Sequence, residues 1–419
     1  MDKSQELERG GKFSFSILLF VFTITVINYI DRSAISFAIL PLQEQLGISN
    51  EEYGWIASAF GIGYLCMCVF GGVIVDRFNP IKVWPLFVVL WSLCIFGLGL
   101  AQGFLSLFIF RLLLGFAEAV HFPALLRILS DTMDSKWRAK SLSIGLLGVP
   151  IASLIGAPLL SLVIVDLVWR WMLFLLSILG MLWAFFWYIW IRKKSEWQKH
   201  WVGQEKKEEK SFKHLLTSKV MWGNAIQFFS LGYIIFFSLM WLPGFFEERF
   251  HEPILKTGFM IALPWAVAAI SVILGGWLSD WLKKKTHCLW ISRALVIGGG
   301  LFLAGISFSL IAFTTNVNLA LIFVLFGLGF AFLTNAPIFS INADLFPKRA
   351  GTAQGIITML FAIAGILAPA LTGIIVQVTH LFEGAFFIIG FLSLLSLLVT
   401  FTMQKKALKG KDTDASNSL

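Results

Sequence analysis

The 419-residue chain is 58% hydrophobic and only 14% charged, carries a net charge of +9, and has a mean hydropathy of +0.83. A soluble domain is nearer half apolar and about a quarter charged. The composition therefore excludes an ordinary soluble protein and points to an all-α polytopic membrane protein.

Apolar stretches of about 20 residues, the length that crosses a bilayer as a helix, recur from end to end. Breaks at charge, Pro and Gly clusters give twelve spans: 14–40, 53–75, 82–102, 104–131, 138–165, 169–191, 220–246, 256–280, 289–313, 317–343, 350–377 and 382–403. The first run begins at Phe13, is too long for a signal-peptide core and lacks a small-residue cleavage site. It holds "NYIDR" (28–32), in which Asp31 and Arg32 stand side by side. Adjacent helical residues lie about 100° apart, so these two face different ways. Arg32 shares its face with Asn28 and Tyr29.

Span two closes with "GGVIVDR" (71–77), and span four opens with "RLLLGFAEAVHFP" (111–123). Arg111 and Glu118 lie two turns apart on one face of span four, with Gly115 between them leaving room for something to approach. His121 is one turn further on. After span six comes one long polar link, containing "RKKSEWQKHWVGQEKKEEK". It divides the chain into an N-terminal six-helix bundle (1–191), a linker (192–219) and a C-terminal six-helix bundle with a tail (220–419).

The second half echoes the first. Span eight closes with "GGWLSDW" (275–281). Arg138-Ala139 and Arg349-Ala350 both start spans, and Pro158 and Pro369 sit in "GAPLL" and "LAPAL". Span ten, "FGLGFAFLTNAPIF", keeps the Gly and Pro of span four without its charges. This pattern indicates two pseudo-symmetric bundles made by duplication, the architecture of secondary transporters with a site near the midplane.

Charge placement gives the orientation. Lys and Arg crowd the N-terminus, alternate links, the central link and the C-terminus, whereas the other links hold only Arg170, Arg249 and Lys256. Under the positive-inside rule both termini and the central link are cytoplasmic. The net charge is thus a topology signal, and no nucleic-acid partner is expected. Cys66, Cys68, Cys94 and Cys288 lie in or beside apolar runs and read as packing groups. No metal set, P-loop or nucleophilic Ser motif occurs, so neither an enzyme nor a cofactor is expected. The chain contains no Asn-x-Ser/Thr acceptor, which fits a bacterial inner membrane.

With these residues in place, the chain resembles the major facilitator superfamily. Gly72-x-x-x-Asp76-Arg77 resembles its signature loop, and Gly276-x-x-x-Asp280 resembles the second copy. Two positions depart from the pattern: Asn79, which tolerates a left-handed turn, stands for a Gly, and Trp281 for a basic residue. "NYIDR", "RLLLGFAEAVHFP", "WRWMLF" (169–174) and "WLPGFF" (241–246) resemble, more narrowly, the anion:cation symporters. That family includes bacterial hexonate and hexuronate carriers and animal sialic-acid and vesicular glutamate transporters. The resemblance implies proton coupling at Glu118 and substrate contact at Arg32.

Ionisable groups inside a membrane are functional candidates by default. Glu118 reads as a proton site, since burial favours the protonated carboxyl, or as half of a buried ion pair. Asp31 is a second proton site or a fixed counter-charge. Arg32 cannot shed its proton, and its fork matches a carboxylate; it is a substrate anchor or an interhelical partner. Arg111 either contacts an anionic substrate or neutralises Glu118 or Asp31. His121 is a packing group unless it lines the cavity, where it would favour an acidic substrate.

The second half offers Asn224, Gln227, Tyr233, Asn335 and Gln354 as helix–helix glue, with Tyr233 and Asn335 the leading substrate contacts. The 42 Phe and 17 Trp are expected to be mostly lipid-facing and interfacial. Gly72, Asp76, Arg77, Gly276 and Asp280 read as a cytoplasmic gate, and the basic runs beside them as gate elements or anionic-lipid contacts. The combined reading is a monomeric symporter that imports a small organic anion, such as a sugar acid, with protons. A carrier of amino acids or other zwitterions is the alternative, and a drug/proton antiporter the next.

Overall fold

The computed structural model describes residues 3–133, 135–192, 217–345, 350–405 and 408. Most of the expected linker, with Lys348 and Arg349, lies outside them. No strand occurs among the described residues. The helices are α1 (Lys3–Phe37), α2 (Ile39–Leu46), α3 (Asn50–Arg77), α4 (Pro80–Leu100), α5 (Phe104–Glu118), α6 (His121–Thr132), α7 (Ser135–Asp166) and α8 (Trp169–Arg192). They continue with α9 (Lys219–Phe250), α10 (Ile254–Thr286), α11 (Val296–Ile311), α12 (Val317–Leu333), α13 (Asn335–Leu345), α14 (Ala350–Thr379) and α15 (Glu383–Val399). Among the described residues, 11 helical stretches are long and apolar enough to cross a membrane. The remaining expected span, 53–75, is α3, with 28 residues.

Spans four and ten are each broken once, between α5 and α6 and between α12 and α13. The break in span four falls just after Glu118. It separates the carboxylate's turn from that of His121.

The chain forms two compact units, one of Met1–Ile48 with Ala59–Lys206 and one of Ser49–Ser58 with Lys207–Leu419. The sequence boundaries at 191 and 220 do not anticipate that the start of α3 groups with the second half.

In the first unit α1 packs on α7, and α4 packs on α5 and α8. α3 and α5 meet backbone to backbone. A Cβ on Gly63 would strike the Leu112 carbonyl, and one on Gly115 the Phe60 carbonyl. The room left by Gly115 is thus taken by a neighbouring helix. Overpacking a filled site costs typically about 1–3 kcal/mol. Gly115→Ala is accordingly expected to lower the melting temperature of the purified protein, and an unchanged melting temperature would contradict this contact.

One sequence expectation is corrected here and a second is narrowed. Asn79 does not adopt a left-handed turn: at φ −62 and ψ 112 it is extended and caps α4, its side chain accepting from the Ile81 N–H. An Asn at that place stabilises the next helix start, a task Gly performs less well. Nor does the Trp set face lipid throughout. Trp84, Trp91, Trp169, Trp187, Trp241 and Trp265 are all fully buried. Their rings fill space between helices, and the Trp187 indole donates to the Ile81 carbonyl at 3.0 Å.

In the second unit α9 packs on α14, α11 on α15 and α10 on α12. The first turns of α3 join this unit through Tyr53, which donates to the Met240 carbonyl at 2.8 Å, and Ser58, which donates to the Ile366 carbonyl at 2.6 Å. Several polar side chains act as the glue expected from sequence. Asn224 donates to the Ile338 carbonyl (3.0 Å) and to Asn342 (3.1 Å). Gln227 and Gln404 exchange amide hydrogen bonds of 3.2 and 2.9 Å. Asn342 donates to Gln354 at 3.4 Å.

Candidate functional site

The charged residues of spans one and four meet inside the first unit. Arg32, 3% exposed, donates from Nε to Glu118 Oε2 at 2.7 Å, and Glu118 is wholly buried. The pair joins α1 to α5. Residues two turns apart on a helix are separated by roughly 10 Å of rise, and the 2.7 Å contact reaches Glu118 from another helix.

Aromatic rings surround the guanidinium. Arg32 Cζ lies 4.7 Å from the centre of the Tyr29 ring, 4.8 Å from Phe60 and 5.3 Å from Tyr64. Arg111, also wholly buried, lies 5.1 Å from the same Phe60 ring. A guanidinium over an aromatic face is held by the ring quadrupole and sheds little of its charge. Two cations therefore share one aromatic platform. Tyr29 takes this place because it sits one turn before Arg32 on α1.

Phe60 and Tyr64 were not singled out from sequence. Their signal is an aromatic pair one turn apart in "SAFGIGY", otherwise built of small and aliphatic residues.

Asp31 is 3% exposed, and neither of its carboxylate oxygens has a hydrogen-bond partner among the described residues. Glu118 Oε1 and Arg32 Nη2 are likewise unpartnered, and Asn28 lies beside Glu118. The site thus holds two acids and two arginines, all buried, with bonding capacity left over on Asp31, Glu118 and Arg32. Such a site can take a proton on a carboxylate and an anion on a guanidinium, and each event alters the other.

His121 is wholly buried, 3.3 Å from Thr25 Oγ1, among the rings of Trp84, Trp91 and Phe122. This is the packing environment weighed from sequence.

In the second unit, Tyr233 is buried on α9 beside Thr372. Asn335 is half-buried at the start of α13. Gly276 lies against Ala336, whereas Gly72 has open space around it. Arg77 is exposed, and the Asp76 side chain lies outside the described ones. Asp280 pairs with Arg293 at 2.9 Å, Arg293 with Asp344 at 2.9 Å, and Lys283 with Asp344 at 2.7 Å. This chain of four charges ties the end of α10 to α13. No group of His, Cys, Asp and Glu suited to a metal occurs among the described residues.

Comparison with known proteins agrees with this architecture. The profile of the Major Facilitator Superfamily matches residues 21–369 and 291–417. The chain is 29% identical to a hexuronate transporter of Bacillus subtilis, covering 97% of this chain and 99% of that protein. It is 27% identical to a probable galactarate/D-glucarate transporter of Escherichia coli (95% and 96% covered) and 27% to a probable L-galactonate transporter of the same species (92% and 88%). Its fold is similar to that of a bacterial homologue of the human lysosomal transporter Spinster, with a TM-score of 0.78 at 16% identity over 95% of this chain and 97% of that one. The resemblance drawn from the signature loops and from spans one, four, six and seven thereby holds. The chain is an integral membrane protein belonging to the Major Facilitator Superfamily.

Proposed function

We propose that this protein is a proton-coupled symporter of a small organic anion, working by alternating access in a bacterial inner membrane with both termini cytoplasmic. The buried Arg32–Glu118 ion pair carries the reading. The relatives' names point to sugar acids, which supply the carboxylate that Arg32 would bind.

The cycle follows from charge balance. With Glu118 ionised, Arg32 is occupied, and an incoming carboxylate must compete for it. A proton on Glu118 frees the guanidinium, so proton and anion favour each other's binding. Asp31 offers a second proton site, and Arg111 a second cation for a substrate with two carboxylates. Tyr29 presents its ring beside Arg32, and Tyr233 and Asn335 supply neutral polar groups for hydroxyls.

Importing a negative charge against a negative interior costs about 2.3 kcal/mol per 100 mV. One co-transported proton cancels that cost, and a second makes the step favourable. Gly72, Asp76, Arg77, Gly276 and Asp280 serve as the cytoplasmic gate, where ion pairs such as Asp280–Arg293 exchange partners as the bundles rock.

The test is uptake into proteoliposomes under an inward proton gradient, with hexuronates, aldarates, aldonates and amino acids offered separately. At least one sugar acid should accumulate and carry protons inward, while amino acids should not. Accumulation of a zwitterion alone would replace this reading with the amino-acid carrier.

A further inference from the structure

Asn28 stands one turn before Arg32 on the same face of α1, where neighbouring Cβ atoms are about 5–6 Å apart. It is 0% exposed. Its amide lies beside the Glu118 carboxyl without closing a well-formed hydrogen bond: neither Nδ2 nor Oδ1 has a partner among the described residues. Even a bond from Nδ2 to Glu118 would leave Oδ1 unmatched, because an ionised carboxylate only accepts. Burying an amide with its bonding capacity unused is costly. Its place beside the ion pair suits a partner that both donates and accepts, and that the neighbouring side chains do not supply.

Arg32 narrows what that partner is. Its Nε donates to Glu118 Oε2 at 2.7 Å, and its Nη2 is unpartnered. Nε and Nη2 together form the fork that takes both oxygens of a carboxylate. A substrate carboxylate that replaces Glu118 therefore fills the fork and needs nothing from Asn28. The amide is left for the next group along, the substituent on the carbon bonded to the carboxylate. A hydroxyl there accepts from Nδ2 and donates to Oδ1, so it meets both halves of the amide. A hydrogen meets neither. An ammonium only donates, and it would stand close to Arg32 and Arg111, whose guanidinium groups share the Phe60 ring.

We propose that Asn28 reads the hydroxyl on the carbon next to the substrate's carboxylate, and that the transported anion presents an open-chain 2-hydroxy acid, as aldonates do. The proposal rests on Arg32 being the carboxylate anchor of the symporter. Asn28 is then a specificity-determining residue of the first unit, one turn from the ion pair that couples proton to anion. A site built to hydrogen-bond a hydroxyl rejects the analogue that lacks it, because its own buried groups are left unpaired.

The test is calorimetric titration of the purified full-length protein at mildly acidic pH with D-gluconate and D-galactonate, each compared with its 2-deoxy form. The wild type should bind at least one aldonate about tenfold or more tightly than the 2-deoxy partner. Asn28→Leu, close to Asn in shape, should bring that ratio near one by losing affinity for the hydroxy acid while sparing the deoxy acid. Asn28→Ala is titrated in parallel and should do the same, so that a folding defect in one variant does not decide the result.

A wild-type ratio near one would overturn the inference. So would a ratio unchanged in the variants, even with both affinities lowered, since Asn28 would then only position the Arg32–Glu118 pair. D-glucuronate and D-galacturonate, whose ring form carries an ether oxygen at that place, are titrated alongside. If the wild type binds neither aldonate but binds a hexuronate, the 2-hydroxyl claim alone fails. If it binds none of the four, the sugar-acid reading fails with it.

Discussion

Glu118→Gln is expected to abolish accumulation driven by a proton gradient while leaving exchange of labelled for unlabelled substrate intact. Gln resembles the protonated carboxyl in shape and charge. It leaves Arg32 permanently without its 2.7 Å partner and so permanently ready for an anion. The variant should bind substrate at least as tightly as the wild type at neutral pH, and its affinity should depend less on pH. In the wild type the sign is fixed by the pairing: raising pH ionises Glu118, restores the Arg32 pair and weakens anion binding. The check is paired uptake and exchange in proteoliposomes. Full gradient-driven accumulation in the variant would remove Glu118 from the coupling step.

Arg32→Lys is expected to weaken substrate binding by about 10- to 100-fold, equivalent to roughly 1.4–2.8 kcal/mol. Lys keeps the charge but loses two features of this site. A point charge cannot engage a carboxylate through two parallel hydrogen bonds, and an ammonium does not lie flat among the Tyr29, Phe60 and Tyr64 rings. Calorimetric titration of the purified variant reads the loss directly. Phe60→Leu should weaken binding less, because it removes a platform and no charge. Wild-type affinity in Arg32→Lys would mean that the anion is held elsewhere.

Much of this was legible in the sequence. Span number and duplication follow from hydropathy and from paired landmarks such as Gly71 and Gly275 or Pro158 and Pro369. The residues of the site were also visible, because charge inside an apolar run stands out. What could not be read was who meets whom. Helical periodicity put Arg111 on Glu118's face, but contact across helices depends on packing, and that brings Arg32 from α1 into hydrogen-bond distance of it. Phe60 and Tyr64 were lost among 42 Phe and 5 Tyr, since nothing in α3 marks the face it turns to α1. Gly115 was read correctly as a place of close approach, though the approaching group is the α3 backbone. Asn79 was misjudged because Asn suits a left-handed turn and a helix cap equally, and only the following helix start decides between them.

The central claim is that one buried pair, Arg32 with Glu118, links proton to anion. The most direct test is calorimetric titration of the transported sugar acid in two buffers of different ionisation enthalpy, which counts the protons taken up on binding. The account predicts that the wild type at neutral pH takes up about one proton more than Glu118→Gln does. Binding without proton uptake in the wild type, or with equal uptake in both proteins, would contradict it.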